Sequence, residues 1–340
     1  GGQAVIEGGM MKNKEEYAIA VRKPDNTIVI EKNQFTSKSE KYKIFKLPIF
    51  RGILNFLESM VMGMKTLSFS ASFYEEEDTE PTKVEKAFNK VFKSKTEKVV
   101  MGLTVAFSLV MAITIFMLLP YFIAELISRQ TQSTTVLTLI EGALRIVIFL
   151  SYIIAISRLK DIQRLFMYHG AEHKAINCIE NGYELTIENV KWQSREHKRC
   201  GTSFTFLVMF ISIIFFMFIR VDEIWLRILV RLLLIPIISG VAYEFIRFAG
   251  RNDSLIVRII SKPGMLLQKF TTREPDEDMI EVAIKSVEAV FDWKAFIAED
   301  ELEIVEQNTI EISPEFNLSQ EDESEEDEVL KALEQIVKEH

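Results

Sequence analysis

Four stretches of the chain are almost unbroken in apolar residues: 101–127, 136–157, 203–219 and 228–248. A helix needs about 20 such residues to cross a bilayer, within a range of about 17–25, so each predicts a membrane span. The first and third are nearly pure. The second carries Glu141 and Arg145, and the fourth carries Arg231, Pro236 and Glu244. Ionisable groups at that depth turn toward protein or water. A soluble bundle of buried helices is the competing reading, but such helices are usually shorter and amphipathic. Outside the spans the pattern changes period. Residues 17–22 and 27–31 alternate around Lys23-Pro24-Asp25-Asn26, which predicts a β-hairpin. Residues 47–71 are apolar but broken by Arg51, Glu58 and Lys65, as in a helix lying on or dipping into the inner leaflet rather than a fifth span. Residues 276–296 repeat Ile280, Ala283, Ile284, Val287, Val290 and Phe291 at helical spacing, an amphipathic helix outside the membrane.

The expected organisation is therefore a mainly α integral membrane protein with about four transmembrane helices. Its parts are a glycine-rich start and hairpin (1–46), an interfacial or re-entrant helix (47–74) and a charged linker (75–98). A four-span core (99–250) follows, with a long loop at 158–202, then a helical segment (251–298) and an acidic tail (299–340). Charge sharpens this picture. The chain has 40 Lys/Arg and 49 Asp/Glu, net −9, yet 16 of the acidic and only 2 of the basic residues lie after residue 298. The tail repels itself and reads as disordered, with a short helix expected at 329–338. Basic residues cluster before span one, in 158–202 and after span four, while the other two links are poor in them. By the positive-inside rule both termini and the 158–202 loop face the cytoplasm. Two cysteines, Cys178 and Cys200, make no disulfide framework and suit that reducing side. No basic face interleaved with aromatics is present, so nucleic acid is not an expected partner.

The candidate chemistry sits in the 158–202 loop, which holds three of the four histidines. In Tyr168-His169-Gly170-Ala171-Glu172-His173-Lys174, the two histidines are one helical turn apart and share a face. They can bind one metal ion, zinc by ligand type, and H-x-x-E-H is the pattern of inverted zinc peptidases, in which the glutamate (here Glu172) activates water. A third ligand is open between His197, Cys200 and Glu244. Three ligands would make a catalytic site; His169, His173, His197 and Cys200 together would make a closed structural one. The competing reading takes Leu165, Phe166, His169, His173 and Ile176 as one core stripe of hydrogen-bonded histidines. Gly1 to Gly9 is glycine-dense around the single carboxylate of Glu7. It reads either as a flexible terminus or as a loop folded against the site, with Glu7 as a second catalytic carboxylate.

Taken in order, GGQAVIEG followed by MMK, AVRKPD, Arg51-Gly52, YHGAEHK, RCGTSF and YEFIR resemble the YqhQ-like bacterial membrane proteins. That family is known as domain of unknown function 1385 and carries the label of a predicted metal-dependent enzyme. The resemblance covers roughly residues 1–295. It implies a bacterial cytoplasmic membrane and places Glu7, His169, Glu172, His173, His197, Cys200 and Glu244 in shared motifs. The family usually has Val where this chain has Gly9. Three functions are expected to compete. One is a zinc-dependent membrane hydrolase acting on a membrane protein, a lipid or a cytoplasmic peptide. The second is a non-enzymatic scaffold or assembly factor, and the third a small transporter, which with four spans implies a homo-oligomer.

Overall fold

The first strands of the chain are formed by its glycine-dense start. In the computed structural model, which describes residues 1–37, 43–74, 96–128, 133–219, 221, 223–250, 252 and 254–298, β1 (Gly2–Val5), β2 (Gly8–Asn13), β3 (Glu16–Arg22) and β4 (Ile28–Gln34) build one antiparallel meander in sequence order. The expected hairpin is β3–β4. The reading of residues 1–9 as a flexible terminus is corrected: Gly2 to Val5 pair with Met11 to Gly8. The two-residue turn between them puts Glu7 at φ 48.

Strand β3 explains why this sheet is a core element. Tyr17, Ile19 and Val21 point to one face and join Val5, Met10 and Met62. Ala18 and Ala20 point to the other, where they join Met11, Ala171, Ala175 and Ala283. Alternation at period 2 thus serves two cores at once, and the alanines let helices approach one face closely.

Helix α1 (Phe50–Ala71) supplies Met62 to the first core. Leu57, Met60, Val61, Met64 and Leu67 on it stay exposed, as in a helix lying at an apolar interface. The first apolar run is α2 (Thr96–Ile113), a π turn (Thr114–Leu118) and α3 (Leu119–Ser128). Pro120 gives the break its cause, since it has no N–H for the helical ladder and crowds the turn before it. Then come α4 (Thr134–Ile156), α5 (Lys160–Glu180), the one-turn α6 (Ile187–Lys191), α7 (Gly201–Met217), α8 (Ile224–Ala249), α9 (Leu255–Thr271) and α10 (Glu277–Glu288).

Three helical stretches are long and apolar enough to cross a membrane: Gly102–Ile127, Thr135–Ile156 and Trp225–Ala249. Only 6% of the first is buried, so among the described residues its apolar surface is largely uncovered. The run at 203–219 falls in α7, whose 17 residues span about 25 Å, short of the roughly 30 Å hydrocarbon core.

The expected loop at 158–202 is mostly helical, because α5 takes up its first half. The helix expected over 276–296 is α10, which ends at Glu288. Its Asp276 cap accepts from Met279 N at 3.0 Å. The chain divides into two compact units, Gly1–Trp293 and Lys294–His340. In the second, the described residues 294–298 are helical. The acidic tail with its 329–338 helix, and most of the 75–98 linker, lie outside the described residues.

Candidate metal centre

Helix α5 positions the site by being buried on all sides at its middle. Tyr168, Ala171, Glu172, His173 and Lys174 are buried, Tyr168 and Ala171 against the alanine side of the sheet and α10. His169 Nδ1 lies 2.8 Å from the Thr271 carbonyl at the end of α9, and His173 Nδ1 lies 2.6 Å from the Arg195 carbonyl. A carbonyl oxygen only accepts, so both Nδ1 atoms carry the proton, and in the neutral rings both Nε2 atoms keep a lone pair. This is the arrangement in which metal-binding histidines are commonly held.

The His169 lone pair faces Cys200. His169 Nε2 is 3.3 Å from Cys200 Sγ, and the ligand atoms of His169, His173 and Cys200 all lie within 4.8 Å of one another. Around a tetrahedral zinc, nitrogen and sulfur ligands stand about 3.6 Å apart, given bond lengths of about 2.05 and 2.3 Å. The donor set and spacing therefore fit a metal ion. Cys200 is held as the N-cap of α7, its sulfur accepting from Thr202 N at 3.4 Å and contacting Thr202 Oγ1 at 3.1 Å. Cys178 is the contrast. Burial pushes its thiol up to about 11, and it points to the Tyr183 and Glu184 carbonyls.

The remaining expected residues are placed elsewhere around this group. The His197 ring lies 5.6 Å from the His173 ring, but its Nε2 meets Glu180 Oε2 at 3.2 Å. Burial acts to raise the Glu180 carboxyl; the His197 hydrogen bond and the charges of His197 and Arg199 outweigh it and hold the group below its usual range. Glu244 takes the Arg51 guanidinium through both oxygens, at 2.6 and 2.8 Å, joining α8 to α1. Glu7 is held by Arg164 Nε and NH2 and accepts from Tyr168 OH at 3.1 Å, which ties the β1–β2 turn to α5. Among the described residues, the group of mutually close ligand atoms contains neither His197, Glu244 nor Glu7.

Glu172 is 6% exposed, and among the described residues its Oε2 has no partner. Burial pushes its carboxyl up; the charges of His169 and the terminal amine and the Gly2 backbone N–H work against this. The start of β1 presses on it: a Cβ on Gly2 would stand 2.6 Å from Glu172 Oε1. The glycine-dense start is thus folded against α5, the second of the two readings of that segment.

The residues that orient the site were not visible in the pattern. From α5, Lys174 Nζ donates to Lys191 O at 2.6 Å, and Asn177 Nδ2 donates to Ser194 O at 2.6 Å and Glu196 O at 3.1 Å. With His173 they stitch residues 191–196 onto the helix. Gln268, fully buried on α9, clamps His197 from both sides: its Oε1 accepts from His197 N at 2.8 Å and its Nε2 donates to His197 O at 2.7 Å. A glutamine on the buried side of an amphipathic helix, with Gly264 one turn before and Thr272 one turn after, was the available signal. Gln268→Ala is expected to strand two buried backbone groups and cost about 2 kcal/mol, read as a lower melting temperature.

The fold and site together define a mainly helical protein of membrane type, with a His/His/Cys cluster on a helix capped by a small sheet. The chain belongs to the family described as protein of unknown function DUF1385, which matches residues 47–293. A relative in Bacillus subtilis (strain 168), the uncharacterized protein YqhQ, is 34% identical over 289 residues, 84% of this chain and 90% of that one. No solved structure matches the chain.

Proposed function

We propose that this protein is a zinc-dependent membrane enzyme, hydrolytic in type, with His169, His173 and Cys200 as the ligands. The observation that carries the reading is the pair of imidazoles, both Nδ1-anchored to carbonyls, with His169 Nε2 against Cys200 Sγ and one ligand atom from each of His169, His173 and Cys200 within 4.8 Å of the others. Three protein ligands leave a fourth position for substrate, as in catalytic zinc sites. A bound zinc would supply Lewis acidity, polarising a carbonyl or phosphoryl oxygen and acidifying water. The chain's own residues do the rest. Thr271 O and Arg195 O hold the imidazole tautomers. Glu172, buried, its Oε2 unpartnered among the described residues and its carboxyl pushed up by burial, is the group that accepts and returns a proton. Glu7 keeps its place as a second carboxylate in a positioning role: it fixes Arg164 and Tyr168, and so the register of α5 against the sheet.

In this reading α7 is the fourth span, its short length met by local bilayer thinning. Both termini and α5 face the cytoplasm, following the distribution of Lys and Arg. The site then sits at the inner face of a bacterial cytoplasmic membrane, where a membrane protein segment, a lipid or a cytoplasmic peptide can reach it. The scaffold reading draws on the same stitching of α5 to residues 191–197 and α9, which would serve assembly without turnover.

Elemental mass spectrometry on detergent-purified protein separates the two. Wild type is expected to carry about one zinc per chain, lost in His173→Ala and Cys200→Ser and kept in His197→Ala and Glu172→Gln. Metal loss in His197→Ala would instead indicate the closed four-ligand site. Metal-free wild type with unchanged folding would overturn the enzyme reading and favour the scaffold.

A further inference from the structure

Helix α9 (Leu255–Thr271) carries three stripes instead of the two of an ordinary amphipathic helix. At about 100° per residue, Val257, Leu267, Gln268 and Thr271 fall on one side, and all four are buried. That side packs on α7: a Cβ on Gly264 would stand 3.0 Å from Ser203 Cβ, and Gln268 Nε2 donates to Ser203 Oγ at 2.7 Å. Leu255, Ile259, Leu266 and Phe270 fall within about 60° of one another on the far side. Among the described residues all four stay exposed, Leu255 and Ile259 the most, at 70% and 61%. Arg258, Lys262 and Lys269 form the third stripe, about 40° wide and directly beside the apolar one. All three are exposed. Lys269 Nζ stands 3.9 Å from Glu196 Oε1, and its side chain is still 55% exposed. No Asp or Glu occurs from Leu255 to Thr271.

Charge and tether length choose the occupant of this face. An apolar strip edged by cations and free of carboxylates complements a surface that is apolar within and anionic at its rim, which is a bilayer containing anionic phospholipid. Antiparallel pairing of two copies through the same face would set cations against cations. The tether points the same way. Trp225–Ala249 is one of the stretches able to cross a membrane, and α9 starts at Leu255. The five residues between Ala249 and Leu255 span at most about 18 Å. The start of α9 is thereby kept within reach of the surface at which that stretch would emerge.

We propose that α9 lies on the bilayer surface and selects anionic phospholipid. Its apolar strip sits at the boundary of acyl chains and headgroups, with Arg258, Lys262 and Lys269 on the headgroup phosphates. The opposite face of the same helix carries the anchors of the histidine cluster. The Thr271 carbonyl accepts from His169 Nδ1, and Gln268 clamps His197. The docking does not depend on a bound metal and stands whether or not the metal reading holds.

The test puts a reporter on the strip. Ile259→Trp is made in the full chain and reconstituted in phosphatidylcholine nanodiscs, and its added emission is read by difference from the chain's own 3 tryptophans. Brominated phosphatidylglycerol or brominated phosphatidylcholine is introduced at equal mole fraction. The ratio of quenching gives the relative association of the two lipids at this helix. Both lipids are expected to quench, with phosphatidylglycerol favoured about fivefold or more. Arg258→Gln with Lys262→Gln, both on exposed positions, is expected to bring that preference below about twofold with an unchanged melting temperature. Little quenching by either lipid would mean that protein covers the strip, either a second copy or the acidic residues after 298, and would overturn the proposal. Equal quenching by the two lipids before and after the double substitution would overturn it as well, since the cations would then select nothing. Zinc content is not read in this experiment, so its failure and that of the metal reading are told apart.

Discussion

Glu141→Ala is expected to be the most damaging single change in the apolar bundle, costing about 3–5 kcal/mol. The glutamate is 4% exposed and its Oε1 is the shared acceptor for Arg145 and Arg231, themselves 6% and 4% exposed. Alanine leaves two like charges facing each other where water does not solvate them. Removing one arginine has the opposite charge consequence. Arg145→Leu leaves a one-to-one pair between Glu141 and Arg231, so its loss is limited to the Ser212 bond and to packing over Phe216, whose ring lies 5.0 Å from the guanidinium carbon. The triple variant Glu141→Leu/Arg145→Leu/Arg231→Leu removes every charge of the set and is expected to recover most of the stability, as apolar replacement of buried ion clusters often does. The measurement is the temperature at which half of the detergent-solubilised protein remains monodisperse in size-exclusion chromatography. Equal losses in Glu141→Ala and Arg145→Leu would show that packing, not charge balance, sets the stability here.

The order of legibility in the chain follows how local each signal is. The apolar runs in α2–α3, α4 and α8 were readable because a span declares itself by continuous composition, and His169, Glu172 and His173 because three chemical residues fall within one helical turn and a half. Cys200 was one of three options for the third ligand, since its approach to His169 Nε2 depends on α7 capping itself at that residue. Glu244 drew attention as a carboxylate downstream of His173 at the cytoplasmic end of the fourth run, but Arg51, 193 residues away in sequence, takes its carboxylate. The β1–β2 pair was missed for a different reason. Strands rich in Gly carry no apolar alternation, and this pair forms because β3 offers it a partner and α5 offers it a surface at Glu172. Gln268 and Thr271 act through single hydrogen bonds to distant backbone, a relation that leaves no period in a sequence. Period and composition report on elements; pairings between elements far apart in the chain decide which candidate ligands meet.

Gly170→Ala is expected to destabilise the protein and loosen the metal cluster, although alanine is the better helix former by about 1 kcal/mol. Gly170 lies inside α5 between His169 and the buried Ala171. A Cβ at this position would stand 2.1 Å from the Arg273 carbonyl oxygen. The obstacle is backbone, so no rotamer change relieves it, and the segment 271–273 must move off the helix. That segment is held by Arg273 N donating to Phe166 O at 2.8 Å, and it carries the Thr271 carbonyl that orients His169. A displacement of about 1 Å breaks both bonds. Overpacking of this kind costs about 1–3 kcal/mol, and loss of a partner that orients a metal-binding histidine typically lowers metal affinity about 10–100-fold. Two readouts check this independently: the melting temperature, and zinc retention against a chelator of graded concentration. His169→Ala, which deletes the ligand but leaves room for the 271–273 segment, is expected to lose zinc with a smaller fall in melting temperature. Gly170→Ala with unchanged melting and unchanged zinc retention would mean that the link between α9 and α10 does not press on α5, and that the tautomer of His169 is set by something other than Thr271.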